Sequence, residues 1–439
     1  MAFHFSRDTK VYMKWVTDGN LLDNTPTADT LYEIPVLDGF SFSQATNSSE
    51  ITLNEAADTS GNSKRGRRLF NDSFAPAEWS FSTYMRPTTS AAANVWVSNG
   101  HCGSAKDFAI EGPLWGAMGA TTYDLGVYEG GTMAATGVLS GGTQGDSGAL
   151  NAATWEPNVF NFANSNKTAL GVFDLYFVLG ASGDSTPALY TTGTDGVSIY
   201  KIASCSVGTA SIDFDIDGIA QIAWSGQGAK ISEIVQLKTT AGATSPAVTG
   251  EESTTKGLVD EGISSTTNYI RQKLTNLAIA YDKDATTGTI AGGEMAADVT
   301  YAVTLTGGNV TIENNLTYLT PETIGEVNQP LGHVMGTRSV SGNFTCYLNS
   351  AANGSMDLIE DLMESTGVIT NVFNMKFSIG GSSGPRVELG LPRAHLELPT
   401  HAIEDVISID VNFHGLSTDL SSGTAADATN EVGIAYQAS

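Results

Sequence analysis

Apolar and polar residues alternate along many short segments of the chain, which is the pattern of strands that bury one face. The first half holds four such segments: VYMKW (11–15), LYEIPVLDGFSFS (31–43), WSFSTYM (79–85) and FDLYFVLG (173–180). The second half holds six more between residues 277 and 413: LAIAY, TYAVTL, NVTIEN, GNFTCYL, FNMKFSIG and VISIDVNF. The pattern therefore predicts a mostly β chain.

The last of these segments alternates most regularly. Its apolar positions predict a core face made of Ile407, Ile409, Val411 and Phe413. Its other positions predict a polar face made of Ser408, Asp410, Asn412 and His414. Successive side chains of a strand point to opposite sides, so Asp410 is expected outside the core.

One helix is predicted in each half of the chain. In the second half, Ser355 is a candidate N-cap and Gly367 follows the expected end. The intervening apolar residues have the three- and four-residue spacing of one helix face: Met356, Ile359, Leu362 and Met363. In the first half, the counterpart is the shorter segment TTSAAANVWVSN, residues 88–99.

Three segments of the first half recur in the second half in the same order. VFDLYFVLG (172–180) returns as VFNMKFSIG (372–380), FSTY (81–84) as FTCY (344–347), and IAWSG (222–226) as VNFHG (411–415). The offsets are 263 (344 − 81), 200 (372 − 172) and 189 (415 − 226) residues. We infer a duplication, with about 63 extra residues (263 − 200) in the first copy, inside the Gly-, Ala- and Thr-rich region of about residues 100–169.

The expected organisation is two tandem copies joined by a linker. The first copy spans residues 1–237, the Thr-, Gly- and Glu-rich linker 238–265, and the second copy 266–439. Each copy is predicted to be an antiparallel β-sandwich or barrel with one flanking α-helix, an α+β arrangement. Copies of this size can each bury a core.

Composition excludes several classes of function. The chain has 21 Lys and Arg against 47 Asp and Glu, a net charge of −26, which disfavours binding to nucleic acid or anionic membranes. We find no signal peptide and no membrane-spanning run. The three cysteines, Cys102, Cys205 and Cys346, cannot all pair, so reduced thiols and folding in the cytoplasm are expected.

Short motifs of enzymes do not amount to a site. GHC (100–102) and GDSG (145–148) are similar to pieces of a trypsin-type protease, but the strands that such a fold needs between them are missing. The six histidines have no metal-binding spacing, and no nucleotide-binding motif is present. We therefore expect no enzyme activity and no catalytic, cofactor-binding or metal-binding residues.

Three acidic residues alternate with apolar ones in SIDFDID, residues 211–217. Asp213, Asp215 and Asp217 are compatible with a Ca²⁺ loop, but Trp224 stands where an EF-hand has its glutamate. A strand with one acidic face is the favoured interpretation.

Four basic residues lie within five positions: Lys64, Arg65, Arg67 and Arg68. A nucleic-acid patch is one interpretation, but no aromatic residues interleave and the rest of the chain is acidic. The favoured interpretation is a loop that contacts an acidic surface of a neighbouring subunit.

Several longer strings carry a specific resemblance. SFSQATNSSEITLNEA, RGRRLFNDSFAPAEWSFSTYMRP, NVTIENNLTYLTP, GNFTCYLN, GSMDLIEDL, RAHLELPT and FHGLSTDL follow one another between residue 42 and about residue 420. Together they resemble the tail tube proteins of T-five-like siphophages. The Gly-rich region is longer than that family predicts, and we expect no immunoglobulin-like carboxy-terminal decoration after Ser439.

The resemblance implies a structural protein of the virion tail. Three chains would close into a ring of pseudo-sixfold symmetry, and stacked rings would form a tube, assembled in the host cytoplasm, that conducts DNA without binding it. Implied partners are the chain itself, a tape measure protein in the lumen, and the distal tail and tail terminator proteins. Membrane partners are not expected.

The resemblance also assigns roles to the charged residues named above. An acidic lumen is expected, with Asp213, Asp215 and Asp410 as candidate lining residues, and the loop around Lys64, Arg65, Arg67 and Arg68 is expected to contact adjacent subunits or rings. The alternatives are an acidic β-rich adhesin, a virion decoration protein, or the inner tube of a contractile tail.

Overall fold

A computed structural model describes residues 4–5, 8–15, 30–51, 59–60, 68–90, 106–119, 160–163, 170–180, 189–193, 196–239, 251–252, 257–259, 269–281, 299–320, 329–330, 332–364, 373–381, 385–402, 406–416 and 430–437. Within these ranges the chain is mostly strand, with two α-helices and sheets that are mainly antiparallel. The prediction of a mostly β chain is confirmed. Neither helix in this part of the chain is long and apolar enough to cross a membrane.

The elements run in the following order. In the first 260 residues they are β1 (Thr9–Trp15), β2 (Thr30–Ile34), β3 (Ser41–Ile51), β4 (Arg68–Tyr84), β5 (Pro87–Ser90), β6 (Lys106–Ala109), α1 (Gly112–Gly119), β7 (Phe160–Ala163), β8 (Phe173–Leu179), β9 (Leu189–Thr191), β10 (Ser198–Phe214), β11 (Gln221–Gly228), β12 (Lys230–Ile234), β13 (Gln236–Lys238), β14 (Glu251–Glu252) and β15 (Gly257–Val259).

The remaining elements follow a short 3-10 helix, Gln272–Leu274. They are β16 (Asn276–Tyr281), β17 (Val299–Val303), β18 (Leu305–Glu313), β19 (Leu316–Leu319), β20 (Gly332–Met335), β21 (Ser339–Tyr347), α2 (Ser355–Glu364), β22 (Phe373–Ile379), β23 (Arg386–Leu396), β24 (Thr400–Ala402), β25 (Ser408–Gly415) and β26 (Asn430–Gln437).

The strand pairings of the two halves follow the same pattern. In the first half, β8 pairs with β1 and β10, β1 with β2, β10 with β11 and β12, β11 with β4, and β4 with β3. In the second half, β22 pairs with β16 and β23, β16 with β17, β23 with β25 and β26, β25 with β21, and β21 with β18. Each pairing in the first set therefore has a counterpart in the second.

One antiparallel pairing joins the halves. The end of β10 pairs with β18 from Thr209↔Glu313 to Phe214↔Gly308. This joint creates a run of strands in the order β3, β4, β11, β10, β18, β21, β25 and β24. Among the described pairings, the two end strands of this run, β3 and β24, each pair with one strand only.

The main core lies behind this run of strands. Trp79, Phe81, Trp224, Phe344 and Phe413 are almost fully buried there, on the alternate positions of their strands. One apolar cluster includes residues of both halves, so the β10–β18 joint is also a joint of the two cores. A second, smaller cluster around Tyr12, Tyr176 and Ile199 covers the other face of β8 and β10.

Several strand predictions are corrected at their ends. The segment 31–43 is interrupted by a turn at Asp38 and Gly39, where Gly39 has a φ of +95°, so it forms the end of β2 and the start of β3. Ile407, predicted as core, precedes β25 and is 39% exposed. β10 ends at Phe214, so Asp215 and Asp217 lie beyond the strand that was predicted to hold them.

The helix of the second half forms where it was predicted, but with a different buried face. Met356 and Met363 are 49% and 62% exposed, whereas the buried residues are Leu358, Ile359 and Leu362. Ser355 is the first helical residue and its hydroxyl donates to the Tyr347 carbonyl instead of capping the helix. Gly367 lies outside the described residues.

The first half has its helix in a different place. Residues 88–90 belong to β5, and the rest of the predicted segment lies outside the described residues. The helix is α1, GPLWGAMG, inside the region assigned to the insertion. All eight of its residues are buried, so the sequence has no polar face and hence no helical periodicity.

The carboxyl group of Glu111, at the start of α1, is buried against the last strand of the chain. The Tyr436 hydroxyl on β26 donates to Glu111 Oε1 at 2.5 Å, and Trp115 Nε1 donates to the Tyr436 oxygen at 2.8 Å. Burial is the main cause that raises the pKa of Glu111 from 4.5 to about 7. This contact ties α1 of the first half to β26 of the second.

We expect the Glu111 carboxyl to make the folded chain less stable as the pH rises. Its pKa is higher in the folded state, so its contribution is largest below pH 4.5 and is lost between pH 4.5 and 7, by about 3 kcal/mol. Urea unfolding at pH 5 and pH 8 measures the difference. Glu111→Gln should remove most of it, and an unchanged difference in that variant would contradict the assignment.

Candidate functional surface

One face of the β3-to-β24 run is open to solvent and polar. Side chains alternate along each strand, so the residues between the core positions all emerge on this face. The face carries mostly small hydroxyl and amide side chains: Ser41, Ser43, Ser80, Ser82, Gln221, Ser225, Gln227, Thr209, Ser211, Asn309, Thr311, Ser341, Asn343, Thr345, Ser408 and Asn412.

Cross-strand hydrogen bonds tie these side chains together. Ser41 Oγ lies 2.8 Å from Ser80 Oγ, and Ser211 Oγ lies 3.1 Å from Thr311 Oγ1 across the joint of the two halves. Such pairs stabilise neighbouring strands and hold short side chains close to the sheet. These four short side chains are therefore held against the sheet.

The formal charges on this face are carboxylates. Glu78, Asp213, Glu313 and Asp410 are exposed on β4, β10, β18 and β25. None of the described face positions on these strands or on β11 and β21 is Lys or Arg. The surface is therefore acidic across both halves, including the strands that form their joint.

His414, on the exposed face of β25, is paired with an acid. Glu397 accepts hydrogen bonds from Asn412 Nδ2 at 3.0 Å and interacts with His414 Nε2 at 3.3 Å. These two hydrogen bonds, first that of Asn412, lower the pKa of Glu397. Glu397 therefore stays ionised to lower pH than an ordinary glutamate, and its negative charge lies next to His414.

Two of the three predicted acidic residues lie on this face, and one does not. Asp213 and Asp410 are on the strands that flank β18 and β21, and Asp410 accepts a hydrogen bond from Asn343 at 3.3 Å. Asp215 lies past the end of β10, where it accepts a hydrogen bond from the Ile216 N–H. Whether any of the three lines a lumen stays a prediction.

Sequence reasoning missed two carboxylates of this face. Glu78 and Glu313 occupy polar positions in the strings AEWSFSTY and NVTIEN, which were already assigned as alternating strands. The alternation of NVTIEN already places Glu313 on the polar face, and extending the segment WSFSTYM by one position does the same for Glu78. The signal for both carboxylates was therefore present in the alternation.

Only one of the four basic residues of the predicted loop lies within the described part of the chain. Lys64, Arg65 and Arg67 lie outside the described residues, and Arg68 is the first residue of β4.

Strand β4 extends beyond the strand β11 that it pairs with in the sheet. β4 pairs with β11 only as far as Ala77, and its preceding nine residues (77 − 68) pair with β3 alone.

We call residues 46–51 of β3 and 68–74 of β4 the arm. At about 3.3 Å per residue, β4 extends roughly 30 Å past its last β11 partner. Side chains of the arm are mostly exposed, including Leu69 at 60% and Phe70 at 56%. A two-stranded hairpin is marginally stable alone, so this arm is a candidate for contact with another molecule.

Comparison with known proteins identifies one curated relative along nearly the whole chain. The tail tube protein pb6 of Escherichia phage T5 is 28% identical over 426 residues, covering 96% of this chain and 75% of that relative. No protein-family model matches the chain. The match confirms that the chain resembles the tail tube proteins of T5-like siphophages, as its sequence motifs had indicated.

Proposed function

We propose that this chain is the structural subunit of a bacteriophage tail tube, without enzymatic activity. The observation that carries the proposal is the continuous acidic sheet, which runs through both halves and, among the described pairings, has an edge strand at each end. The match with the tail tube protein of phage T5 over 96% of the chain supports the same role. The site of action is then the tail of the virion, and assembly takes place in the host cytoplasm.

The duplication gives the ring its geometry in this proposal. The two copies, at residues 1–237 and 266–439 with a linker between them, have matching strand pairings, and β18 in the second copy corresponds to β3 in the first. The joint within a chain is β10–β18, so the equivalent joint between chains is β24 of one chain with β3 of the next. Three chains closing in this way form a ring with six similar wedges.

The acidic face lines the lumen of the ring. DNA carries one charge per ~1.7 Å of its axis, so a lining of like charge repels it over ~8 Å at physiological salt. Glu78, Asp213, Glu313 and Asp410 provide that charge, and the short side chains between them leave the bore smooth. Asp215, just past the end of β10, is proposed to lie at the rim of this lining.

The remaining partners follow from the tail tube role. The lumen holds a tape measure protein during assembly, the tube ends contact the distal tail and tail terminator proteins, and DNA passes without specific binding. Stacked rings are held by contacts that include the basic loop of Lys64, Arg65, Arg67 and Arg68.

Assembly of the purified chain tests this function. We expect trimers by light scattering at low concentration and hollow cylinders by negative-stain electron microscopy at high concentration, with class averages of sixfold appearance. A chain that stays monomeric, or that forms small oligomers without a central channel at every concentration and salt, would contradict the proposal and favour an adhesin or decoration protein.

A further inference from the structure

Strand β26 of the second half is covered by elements of the first half. It pairs with β23 on one side and with β7 on the other. Trp115 of α1 contacts it as well, since its Nε1 donates to the Tyr436 hydroxyl at 2.8 Å. As a result, the apolar residues Val432, Ile434 and Tyr436 are almost fully buried. The end of the second half that adjoins the first half is therefore closed.

Helix α1 is held by both halves at this joint. Asn314 Nδ2 and Arg338 Nη2, from the second half, donate to the Met118 carbonyl at 3.2 and 3.4 Å. On the other side, the Trp115 ring packs edge-on against Trp224 of the first half, with ring centroids 4.5 Å apart. The helix therefore fills the space between the core of its own half and the next half.

The counterpart of β26 in the first half is β12, which pairs with β10 as β26 pairs with β23. Val387, opposite Tyr436, follows Ser198 by 189 residues (387 − 198), the offset of the IAWSG and VNFHG repeat. Extending the β10–β12 register by one position places Val235 opposite Ser198. Val235 is therefore the counterpart of the buried Tyr436, yet it is 40% exposed.

The first half is open at the end where the second half is closed. Phe42, Tyr200 and Ile231 pack against the main core there but are only half-buried. By strand register their counterparts in the second half are fully buried: Val310, Leu389 and Val432. We call Phe42, Tyr200, Ile231 and Val235 the open end.

The open end has the character of an interaction site. Its apolar groups are contiguous, since the rings of Phe42 and Tyr200 have centroids 5.5 Å apart. Lys230 and Glu233 are exposed on β12 beside them. Exposed apolar groups bordered by polar ones mark sites of contact. The rim carries one charge of each sign, so a contact made here depends on apolar burial.

Helix α2 begins at the position that corresponds to the start of α1. The Ile110 N–H, just before α1, donates to the Arg86 carbonyl. The Met356 N–H of α2 donates to the carbonyl of Asn349, whose number exceeds that of Arg86 by 263 (349 − 86), the offset of the FSTY and FTCY repeat. All residues of α1 are buried, whereas α2 has an exposed face made of Met356, Glu360 and Met363. Methionine is common on surfaces that bind other proteins because its side chain adapts to the partner.

We infer that α2 of one chain covers the open end of the next chain in the same ring, as α1 covers β26 within a chain. The occupant is a second copy of this chain, because the open end and the exposed face of α2 are both covered at their counterpart positions. The inference rests on the proposed ring and adds a second contact beside the β24–β3 joint. Met356 should lie near Val235, since Trp115, in the first turn of α1, contacts Tyr436.

Cross-linking tests the contact directly. In a Cys102→Ser background, the double variant Val235→Cys/Met356→Cys, treated with a short bismaleimide, should give a covalent trimer on denaturing gels, because each chain is then bound to both neighbours. Cys205 and Cys346 are buried and will not compete. The matched controls are the two single variants, which should give no covalent trimer. Trimers detected by light scattering without a covalent trimer in the double variant would overturn the inference.

The strength of association gives a second measurement. Val235→Glu and the double variant Met356→Glu/Met363→Glu should each raise the chain concentration needed for half-assembly of trimers at least tenfold, because a carboxylate then enters a covered apolar contact. Light scattering over a concentration series measures this. The control Leu274→Glu changes a residue that is 54% exposed in the 3-10 helix before β16, and it should leave association unchanged.

The outcomes separate this inference from the proposed function. Native association in both test variants, or an equal loss in the Leu274→Glu control, would overturn the contact between α2 and the open end. A native chain that forms no trimers at any concentration would instead overturn the proposed function.

Discussion

We expect the double variant Ser43→Cys/Glu397→Cys, in a Cys102→Ser background, to convert from single chains to a covalent trimer on mild oxidation. The expectation follows from the joint between the two halves, where Ser211 lies opposite Thr311. If chains join as the halves do, the counterparts of these two residues meet across each chain boundary. Three disulfides then close one ring.

The counterpart of Thr311 is identified by strand register. Thr311 pairs with Ser341 on β21, and Ser43 pairs with Glu78 on β4. The positions of Ser341 and Glu78 differ by 263 (341 − 78), which is the offset of the FSTY and FTCY repeat. Ser43 of the free edge strand β3 therefore takes the place of Thr311.

The counterpart of Ser211 is found in the same way. Ser211 pairs with Ala223 on β11, and the Glu397 N–H donates to the Asn412 carbonyl on β25. Asn412 and Ala223 differ by 189 (412 − 223), the offset of the IAWSG and VNFHG repeat. Opposed residues of neighbouring strands have Cα atoms about 4.5–5.5 Å apart, a distance that a disulfide spans.

In the control, one of the two cysteines is moved from position 397 to the neighbouring strand β25. Ser43→Cys/Asn412→Cys keeps the exposed face but adds one strand spacing of about 4.8 Å, which takes the Cα atoms beyond disulfide range. Non-reducing electrophoresis should show the trimer only for the Glu397→Cys pair. A trimer in both variants, or in neither while light scattering still detects trimers, would contradict this register of ring closure.

The alternating strands could be predicted from the sequence because alternation is a local property. Ile409, Val411 and Phe413 form the core face of β25 as expected, and the strings VFDLYFVLG and VFNMKFSIG form β8 and β22, which have corresponding neighbours in their halves. The β10–β18 joint could not be predicted, since no local pattern specifies which strands of distant segments pair.

Alternation within a strand also does not show which polar positions are buried by a second layer of the fold. Lys376 occupies a polar position of the alternating segment FNMKFSIG, yet it is buried 3.8 Å from Glu388, which also interacts with Arg386 at 3.2 Å. Burial lowers the pKa of Lys376. In the first half, the corresponding face of β8 presents Tyr176 to an apolar cluster. The halves therefore share strand pairing but differ in what covers their second face.

Changing four acidic residues of the face to lysine should make the proposed tube retain DNA instead of releasing it. We expect Glu78→Lys, Asp213→Lys, Glu313→Lys and Asp410→Lys together to turn a tube that releases DNA into one that retains it, because each change replaces repulsion of phosphate by attraction. A trimeric ring gains 24 positive units in its bore. Retention should fall steeply with increasing salt, because the release of counterions from DNA then contributes less to binding.

Protection from nuclease shows whether the DNA bound by the variant lies inside the tube. Tubes of the quadruple Lys variant, assembled in the presence of linear duplex DNA at low salt, should protect that DNA from digestion, and native tubes should not. A control with Asp38 and Asp217 changed to Lys places positive charge at exposed positions outside the strands of the acidic face, so it should bind DNA that stays sensitive to nuclease. If the DNA held by the quadruple variant is digested as quickly as in this control, the acidic face does not line the bore, since only an enclosed surface shields a bound duplex.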